Sequence, residues 1–376
     1  MGSDTMVRRV DVLDGGAHPS FRLPVPDVTL SPSRDQTGPR PTHSIAIMLF
    51  ATLGRRSVRL SALVALALTA GTAASAQRSF TSLTMFGDSF SDVGNASALT
   101  NGSVPSRISN GPVWSDFLGA LIGRTADVKP AFVDRTPTGV YAVALALTNS
   151  SSTGTATQVG LWCGFNGTVC TRAADPTGIY TLFSGGNDIR NAAGLGTDAA
   201  RRAASVAAAQ NLLTQGASLT QLGARNILFA YLPDLGLTPD RITSPQSGTL
   251  SDLTRLFNAT LATGIGQLRL ATPTANLFDL RLDNLFTNLL AQPAAFGFTN
   301  TNTSCVAAGA FPNCTGYVFF DGLHPSTAAH GFVGSAAYNL VAFDRNVAVV
   351  PEPATVVLMA SGLVLLAGVA RRRQLQ

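Results

Sequence analysis

The stretch Phe86-Gly87-Asp88-Ser89-Phe90-Ser91-Asp92-Val93-Gly94-Asn95 decides the predicted fold of this 376-residue chain. It follows the apolar run 83–86, so we expect a buried strand that ends in a tight turn. Such a turn would hold the Ser89 hydroxyl at the carboxyl end of a strand, where open α/β sheets bind ligands. A helix beginning just after Ser89 would offer free N–H groups to a developing oxyanion. Taken alone, Gly-Asp-Ser is more typical of an ordinary loop, because all three residues are common in turns.

Strand-like and helical apolar patterns alternate over roughly 275 residues, which is enough for one large domain with a substantial core. Strands are predicted at residues 83–86, 179–183, 227–232 and 277–280. Helices are predicted at residues 112–121, 198–222, 250–270, 283–290 and 326–341. This alternation predicts an α/β domain over residues 77–350, in which helices cover both faces of a parallel sheet.

The region before this domain has the features of an export signal. Residues 48–76 carry a cluster of arginines, then an apolar run, then the small-residue cleavage site Ala74-Ser75-Ala76. This order is typical of a signal peptide, and the alternatives are a short membrane anchor or a core helix. Residues 1–47 are rich in Pro, Asp and Arg. We expect them either to precede a true start at Met48 or to form a disordered extension.

The other end of the chain carries a second targeting pattern. Val350-Pro351-Glu352-Pro353 precedes the uncharged run 354–370, and Arg371-Arg372-Arg373 follows it. An apolar run with a basic end predicts a short transmembrane helix whose arginines stay in the cytoplasm, so a plain tail anchor is one interpretation. The three-part order resembles the PEP-CTERM sorting signal. For residues 351–376 this implies transient membrane anchoring, processing by an exosortase, and delivery to the surface or matrix of a Gram-negative bacterium.

The net charge of +5 comes from these terminal segments. Between Gln77 and Val350, 14 Arg and one Lys balance 15 Asp, and there is no Glu. Because the domain lacks an overall basic field, we expect no nucleic-acid partner.

Four cysteines form two close pairs, Cys163 with Cys170 and Cys305 with Cys314. Zinc sites use tighter Cys-x-x-Cys pairs, so we predict no metal site. In an exported protein the pairs favour two local disulfides, and free buried thiols are the alternative. The first pair lies in segment 146–178, which is rich in Thr, Ser and Gly. We expect this segment to be an excursion near the substrate edge or a variable surface loop.

A base for Ser89 must come from two histidines, because the predicted domain contains only His324 and His330. His324 follows an apolar run and precedes the helix-start signals Pro325 and Ser326. It is therefore expected on a loop, where a serine hydrolase holds its base. Asp321 lies three residues earlier, near enough to orient the imidazole. The alternative is that Asp321 caps a turn and His324 lies on the surface. We expect His330, inside the helix, to be structural.

Two further turns offer neutral hydrogen-bond donors. Ser184-Gly185-Gly186-Asn187-Asp188 follows a predicted strand, and the Asn187 amide could donate to an oxyanion without titrating. Gly111 precedes Pro112, which suits the first position of a helix, and its N–H could also face the site. Taken alone, the first turn is more typical of an ordinary Gly-rich turn in which Asn is a cap, and the second also suits a plain helix start.

Together these four blocks resemble the SGNH hydrolases, also called the GDSL lipase/esterase family. The first block is 86–95, with Phe90 in place of the usual leucine. Gly111, Asn187 and the pair formed by Asp321 and His324 supply the others. The resemblance implies a flavodoxin-like three-layer α/β/α sandwich with about five parallel strands. It also implies no metal or organic cofactor.

The family resemblance assigns a role to each of these residues. Ser89 would be the nucleophile, His324 the general base and then acid, and Asp321 the support of His324. The oxyanion hole would consist of the Ser89 N–H, the Gly111 N–H and the Asn187 side chain. One departure is the segment Val140–Ala146, which stands where many relatives carry Asn-Tyr-Ala-x-Gly-Gly-Ala, and this puts the substrate specificity in doubt.

The sequence therefore predicts an exported esterase or lipase that acts through an acyl-serine intermediate on lipid esters or acylated polysaccharides. Two rival interpretations stay open. One is a non-catalytic surface or matrix protein on a hydrolase scaffold. The other is an acyltransferase that uses the same acyl-enzyme.

Overall fold

The computed structural model describes residues 77–344. The predicted extension 1–47, the signal peptide 48–76 and the C-terminal sorting signal 351–376, with its apolar run, lie outside these residues. Within 77–344, no helix is long and apolar enough to cross a membrane.

A five-stranded sheet forms the centre of the described region. Its strands are β1 (Leu83–Gly87), β2 (Gly139–Val140), β3 (Ile179–Phe183), β4 (Asn226–Ala230) and β5 (Asn276–Leu280). They run in the order β2-β1-β3-β4-β5, and every neighbouring pair is parallel. β1, β3 and β4 are buried at every residue, as parallel strands covered on both faces must be. The predicted α/β fold with a parallel sheet of about five strands is confirmed.

Eight α-helices are described around this sheet. They are α1 (Asn95–Leu99), α2 (Trp114–Leu121), α3 (Thr155–Cys163), α4 (Gly186–Ala193), α5 (Asp198–Gln221), α6 (Ser247–Ala271), α7 (Leu282–Ala291) and α8 (Thr327–Phe343). The long helices α5 and α6 pack against each other, and α2 packs against α8. The five predicted helices are α2, α5, α6, α7 and α8, each within about three residues at either end. Helices α1, α3 and α4 and the two-residue strand β2 were not predicted.

The strand order reverses direction between β1 and β3. The chain goes from β1 outward to β2, and then crosses back to β3 on the other side of β1. In open parallel sheets, ligands bind at the carboxyl ends of the strands that flank such a reversal. Gly87 at the end of β1 lies opposite Phe183 at the end of β3. The turns that follow these two residues carry Ser89 and Asn187, so the topology brings both turns to the same edge of the sheet.

The turn after β1 is closed by its own backbone. The N–H groups of Ser91 and Asp92 both donate to the Asp88 carbonyl, at 3.0 and 3.1 Å. The first helix after Ser89 begins only at Asn95. Asp92 accepts the N–H groups of Gly94, Asn95 and Ala96 at its start, so these donors already have a partner.

The Asp92 carboxylate organises the polypeptide on both sides of the turn. It accepts hydrogen bonds from the N–H groups of Gly94, Asn95 and Ala96, and from that of Ala144, at 2.8–3.0 Å. Burial raises the pKa of Asp92, and these donors oppose the shift by stabilising the charged form. One buried side chain therefore fastens α1 and the segment after β2 to the turn 88–92, which carries Ser89.

Asp88 precedes Ser89 and is only 2% exposed. Burial raises the pKa of its carboxyl group to about 7, and the charges of Asp188 and Asp92 add to the shift, while the Phe90 N–H opposes it. That N–H donates to Asp88 Oδ1 at 3.1 Å. Asp88 is therefore held neutral in the fold at a pH where an exposed aspartate is charged.

This shift predicts a pH-dependent stability that Asp88→Asn removes. An unfolded chain releases the Asp88 proton at about pH 4, whereas the folded chain keeps it up to about pH 7. The contribution of Asp88 to stability is thus complete below about pH 4 and is lost as the pH rises toward 7. The melting temperature of Asp88→Asn relative to the unmodified chain should rise from about pH 4 to about pH 7 and then level off. A difference that stays constant over this range would contradict the account.

The close approach of β1 and β3 predicts the effect of Gly87→Ala. A Cβ added at Gly87 would lie 2.3 Å from the Phe183 carbonyl oxygen, which is backbone and cannot move aside alone. We expect a loss of about 1–3 kcal/mol in the free energy of unfolding, as for other overpacked sites. The control is Gly266→Ala in α6, where an added Cβ meets nothing within 4 Å. That change should stabilise the protein, because alanine favours helix. Chemical denaturation of both variants checks this.

Candidate active site

Ser89, His324 and Asp321 form one chain of hydrogen bonds. His324 Nε2 lies 2.8 Å from Ser89 Oγ. On the other side of the ring, His324 Nδ1 lies 2.8 Å from Asp321 Oδ2 and 3.0 Å from Oδ1. An Nδ1–H that donates to the carboxylate leaves Nε2 unprotonated, facing the serine hydroxyl as an acceptor. The structure thus brings together the three residues for which the sequence predicted catalytic roles.

A tight loop between residues 319 and 326 positions the imidazole. Phe319 and Pro325 pair as an antiparallel bridge, and the Phe320 N–H donates to the His324 carbonyl at 2.8 Å. Asp321 Oδ1 accepts the N–H groups of Leu323 and His324 at 2.9 and 2.7 Å. The carboxylate therefore fixes the backbone of the loop as well as the ring that the loop carries.

The electrostatics of Asp321 suit this position. Burial acts to raise its pKa, but the hydrogen bond and charge of His324, with two backbone N–H donors, outweigh burial and lower it. Asp321 therefore stays ionised, as an orienting carboxylate must.

Both predicted disulfides are present in the structure, Cys163–Cys170 and Cys305–Cys314. The second one closes a loop beside the histidine. The Cys305 N–H donates to the Phe319 carbonyl at 2.9 Å, so the disulfide loop is attached to the strand-like segment that leads to Asp321. The first pair lies in the segment predicted as an excursion or loop, where helix α3 contains Cys163.

Asn187 is the second residue of α4, just past the end of β3. Its Nδ2 donates to the Ala146 carbonyl at 3.0 Å. The neighbouring Asp188 accepts the Thr148 N–H and hydroxyl at 2.9–3.2 Å, and burial raises its pKa. Residues 146–148 are therefore fastened to the start of α4, and the Asn187 amide is held at the sheet edge that carries Ser89.

Gly111 lies against the start of α8, close to the His324 loop. A Cβ at Gly111 would lie 2.8 Å from Thr327 Oγ1, so a side chain there would force Thr327 to shift. Just before Gly111, Ser109 Oγ donates to the Pro325 carbonyl at 3.0 Å, and Asn110 Oδ1 accepts the Thr327 N–H at 2.8 Å. Gly111 thus reaches the surroundings of His324, whereas Asn187 lies on the β3 side of Ser89.

His330 is buried in α8 and takes no part in the hydrogen-bond chain. Burial lowers its pKa to about 3, and the charge of His324 adds to the shift. Phe90 lies between the two histidines, with its ring centroid 5.6 Å from that of His324 and 6.5 Å from that of His330. The phenylalanine that replaces the usual leucine therefore packs against the face of the proposed base.

Gln158 supports the site and was not predicted from the sequence. Its Oε1 accepts the Gly87 N–H and its Nε2 donates to the Gly87 carbonyl, both at 2.8 Å. These two hydrogen bonds take the place of those that a neighbouring strand would make with Gly87, at the end of β1 and immediately before the turn that carries Ser89. Glutamine is neither a turn signal nor a catalytic type, so only the tertiary contact identifies it.

No group of three or more His, Cys, Asp or Glu side chains within residues 77–344 is arranged to hold a metal ion.

Comparisons with known proteins identify the family of the chain. Residues 83–337 match the model for the GDSL-like lipase/acylhydrolase family, and residues 349–374 match the PEP-CTERM protein-sorting motif. An Arabidopsis thaliana GDSL esterase/lipase is 27% identical over 314 residues, which cover 68% of this chain and 86% of the relative. An uncharacterized Pseudomonas putida protein from the trpE-trpG intergenic region is 32% identical over 203 residues, which cover 50% of this chain.

The chain spans 32% and 39% of the length of two of its curated relatives, from Pseudomonas putida and Arabidopsis thaliana. Among solved structures, Est24, a carbohydrate acetylesterase from Sinorhizobium meliloti, is similar with 13% identity and a TM-score of 0.38. That match covers 69% of this chain and 97% of Est24. Because the family match runs through most of the chain, from the first strand into the last helix, the chain belongs to the GDSL-like lipase/acylhydrolase family.

Proposed function

We propose that this protein hydrolyses carboxylic esters through an acyl-serine intermediate. The observation that carries the proposal is the hydrogen-bond chain from Ser89 Oγ to His324 Nε2 and from His324 Nδ1 to Asp321. A serine hydroxyl is a weak nucleophile until an adjacent base accepts its proton. A base that is itself oriented by a carboxylate satisfies the geometric requirement for this chemistry.

In the first half-reaction, Ser89 Oγ attacks the ester carbonyl carbon while His324 Nε2 takes the hydroxyl proton. The imidazolium that forms is stabilised by ionised Asp321. When the tetrahedral intermediate collapses, His324 gives this proton to the leaving alcohol oxygen, and the acyl group stays on Ser89. In the second half, His324 takes a proton from water, the hydroxide adds to the acyl carbon, and the acid leaves as Ser89 regains its proton.

The carbonyl oxygen carries a negative charge in both tetrahedral intermediates. We assign its stabilisation to the N–H groups of Ser89 and Gly111 and to the Asn187 side-chain amide. Two features support this assignment. The turns after β1 and β3 end at one sheet edge, and Gly111 packs beside the loop that carries His324. Preorganised neutral donors of this kind cost no reorganisation when the charge develops.

We also propose that the protein is exported and delivered to the cell surface or matrix of a Gram-negative bacterium, after an exosortase removes its sorting signal. The PEP-CTERM match at residues 349–374 supports this proposal. Two disulfides and the absence of free cysteines among the described residues suit an oxidising compartment. Lipid esters and acylated polysaccharides are both compatible with the site.

The proposal predicts the effect of Ser89→Ala on hydrolysis of p-nitrophenyl acetate by the chain from Gln77 onward. Loss of the nucleophile should lower kcat by several orders of magnitude and leave only slow hydrolysis, as deletion of a triad serine does. The control is Ser97→Ala in the nearby helix α1, which should retain normal kcat. If Ser89→Ala hydrolysed the ester as fast as the control, Ser89 would not be the nucleophile, and a scaffold without catalysis at this serine would be the better interpretation.

A further inference from the structure

Leu145 combines two features that are unfavourable in a folded protein. Its φ angle is 66°, in the left-handed region that residues other than Gly, Asn and Asp rarely adopt. Its side chain is 80% exposed, so burial in the fold does not offset the backbone strain. A strained residue held in place by its surroundings is a reason to look for a role in function.

Hydrogen bonds on both sides of Leu145 hold it at the active site. The Ala144 N–H donates to Asp92 Oδ2 at 2.8 Å, which ties the residue before Leu145 to the nucleophile turn. The Ala146 carbonyl accepts from Asn187 Nδ2 at 3.0 Å, which ties the residue after it to the proposed oxyanion donor. Leu145 therefore lies between a residue fastened to the turn that carries Ser89 and a residue fastened to the proposed oxyanion donor, with its side chain exposed to solvent.

The positions of the other site residues limit which part of an ester Leu145 can contact. The leaving alcohol must lie beside His324 Nε2, because it receives its proton there. His324 approaches Ser89 from the loop 319–326, whereas the segment around Leu145 is fastened to the end of β1, to Asp92 and to Asn187. Because His324 takes the leaving alcohol and the oxyanion donors take the carbonyl oxygen, the acyl chain is the substituent left for a contact with the exposed Leu145 side chain.

We infer that Leu145 is an apolar contact for the acyl chain of the substrate and sets a preference for esters of longer acids. The inference rests on the proposed esterase activity and names the substrate class for that site. Contact with an alkyl chain would remove part of an 80% exposed side chain from water, which is a favourable contribution that only a substrate with such a chain provides. The alcohol side of the ester would not be affected.

The test compares kcat/KM of the unmodified chain and Leu145→Gly on two p-nitrophenyl esters, the octanoate and the acetate. We expect a loss of about tenfold on octanoate and little change on acetate. A tenfold loss is what burial of about half of the leucine side chain against the octanoyl chain would contribute. Octyl acetate, in which the long chain is on the alcohol, should behave like p-nitrophenyl acetate. Because glycine relieves the strain at this φ, the melting temperature of Leu145→Gly should be no lower than that of the unmodified chain.

The matched control is Arg135→Gly, which removes an exposed side chain from a similar φ of 52° at a residue whose backbone bonds to Ala131 and Arg172 rather than to Asp92 or Asn187. It should leave the ratio of octanoate to acetate hydrolysis unchanged. Leu145→Asn, which tolerates positive φ but is polar, is a second variant and should lower that ratio as glycine does. An active protein whose ratio is unchanged in both Leu145 variants, or whose octyl acetate rate falls instead, overturns the inference alone. An unmodified chain that hydrolyses none of these esters overturns the proposed function as well.

Discussion

The hydrogen bond between Ser89 Oγ and His324 Nε2 is the contact on which the rest of the structure depends. It joins two residues 235 positions apart, at a distance of 2.8 Å. A change of about 1 Å in such a contact is enough to impair catalysis severely. Both partners must therefore be held rigidly, one by the sheet and the other by a loop near the end of the domain. Much of the polar interior around the site serves this requirement.

The two supports are built differently. On the serine side, Gln158 replaces a strand neighbour at Gly87, and the Asp92 carboxylate binds four backbone N–H groups around the turn. On the histidine side, Asp321 fixes its own loop and the imidazole together. Buried carboxylates cost desolvation energy unless donors compensate. Asp92 and Asp321 have such donors, whereas Asp88, with the Phe90 N–H as its backbone donor, meets the cost by keeping its proton.

Local sequence patterns predicted the strands and helices whose formation depends on residues close together in the sequence. Four buried strands, the Ala-rich helix α5 and the start of α8 at Ser326 follow from periodicity, propensity and capping, and each was found close to its predicted place. The Ser89, His324 and Asp321 cluster followed from the scarcity of histidines combined with the order of the family blocks. The short strand β2, the pairing of Gln158 with Gly87 and the left-handed Leu145 depend on contacts between distant segments. No pattern within a window of ten or fifteen residues encodes such contacts, so they were missed.

The central claim is that His324 activates Ser89 to form a covalent bond to an acyl carbon. The most direct measurement is peptide mass spectrometry after reaction of the chain with an alkyl fluorophosphonate, which transfers its phosphonyl group to activated serines. We predict one phosphonyl group per chain, located on Ser89, and none in a His324→Ala variant treated identically. Labelling of a different residue, or equal labelling of Ser89 with and without the histidine, would contradict the account.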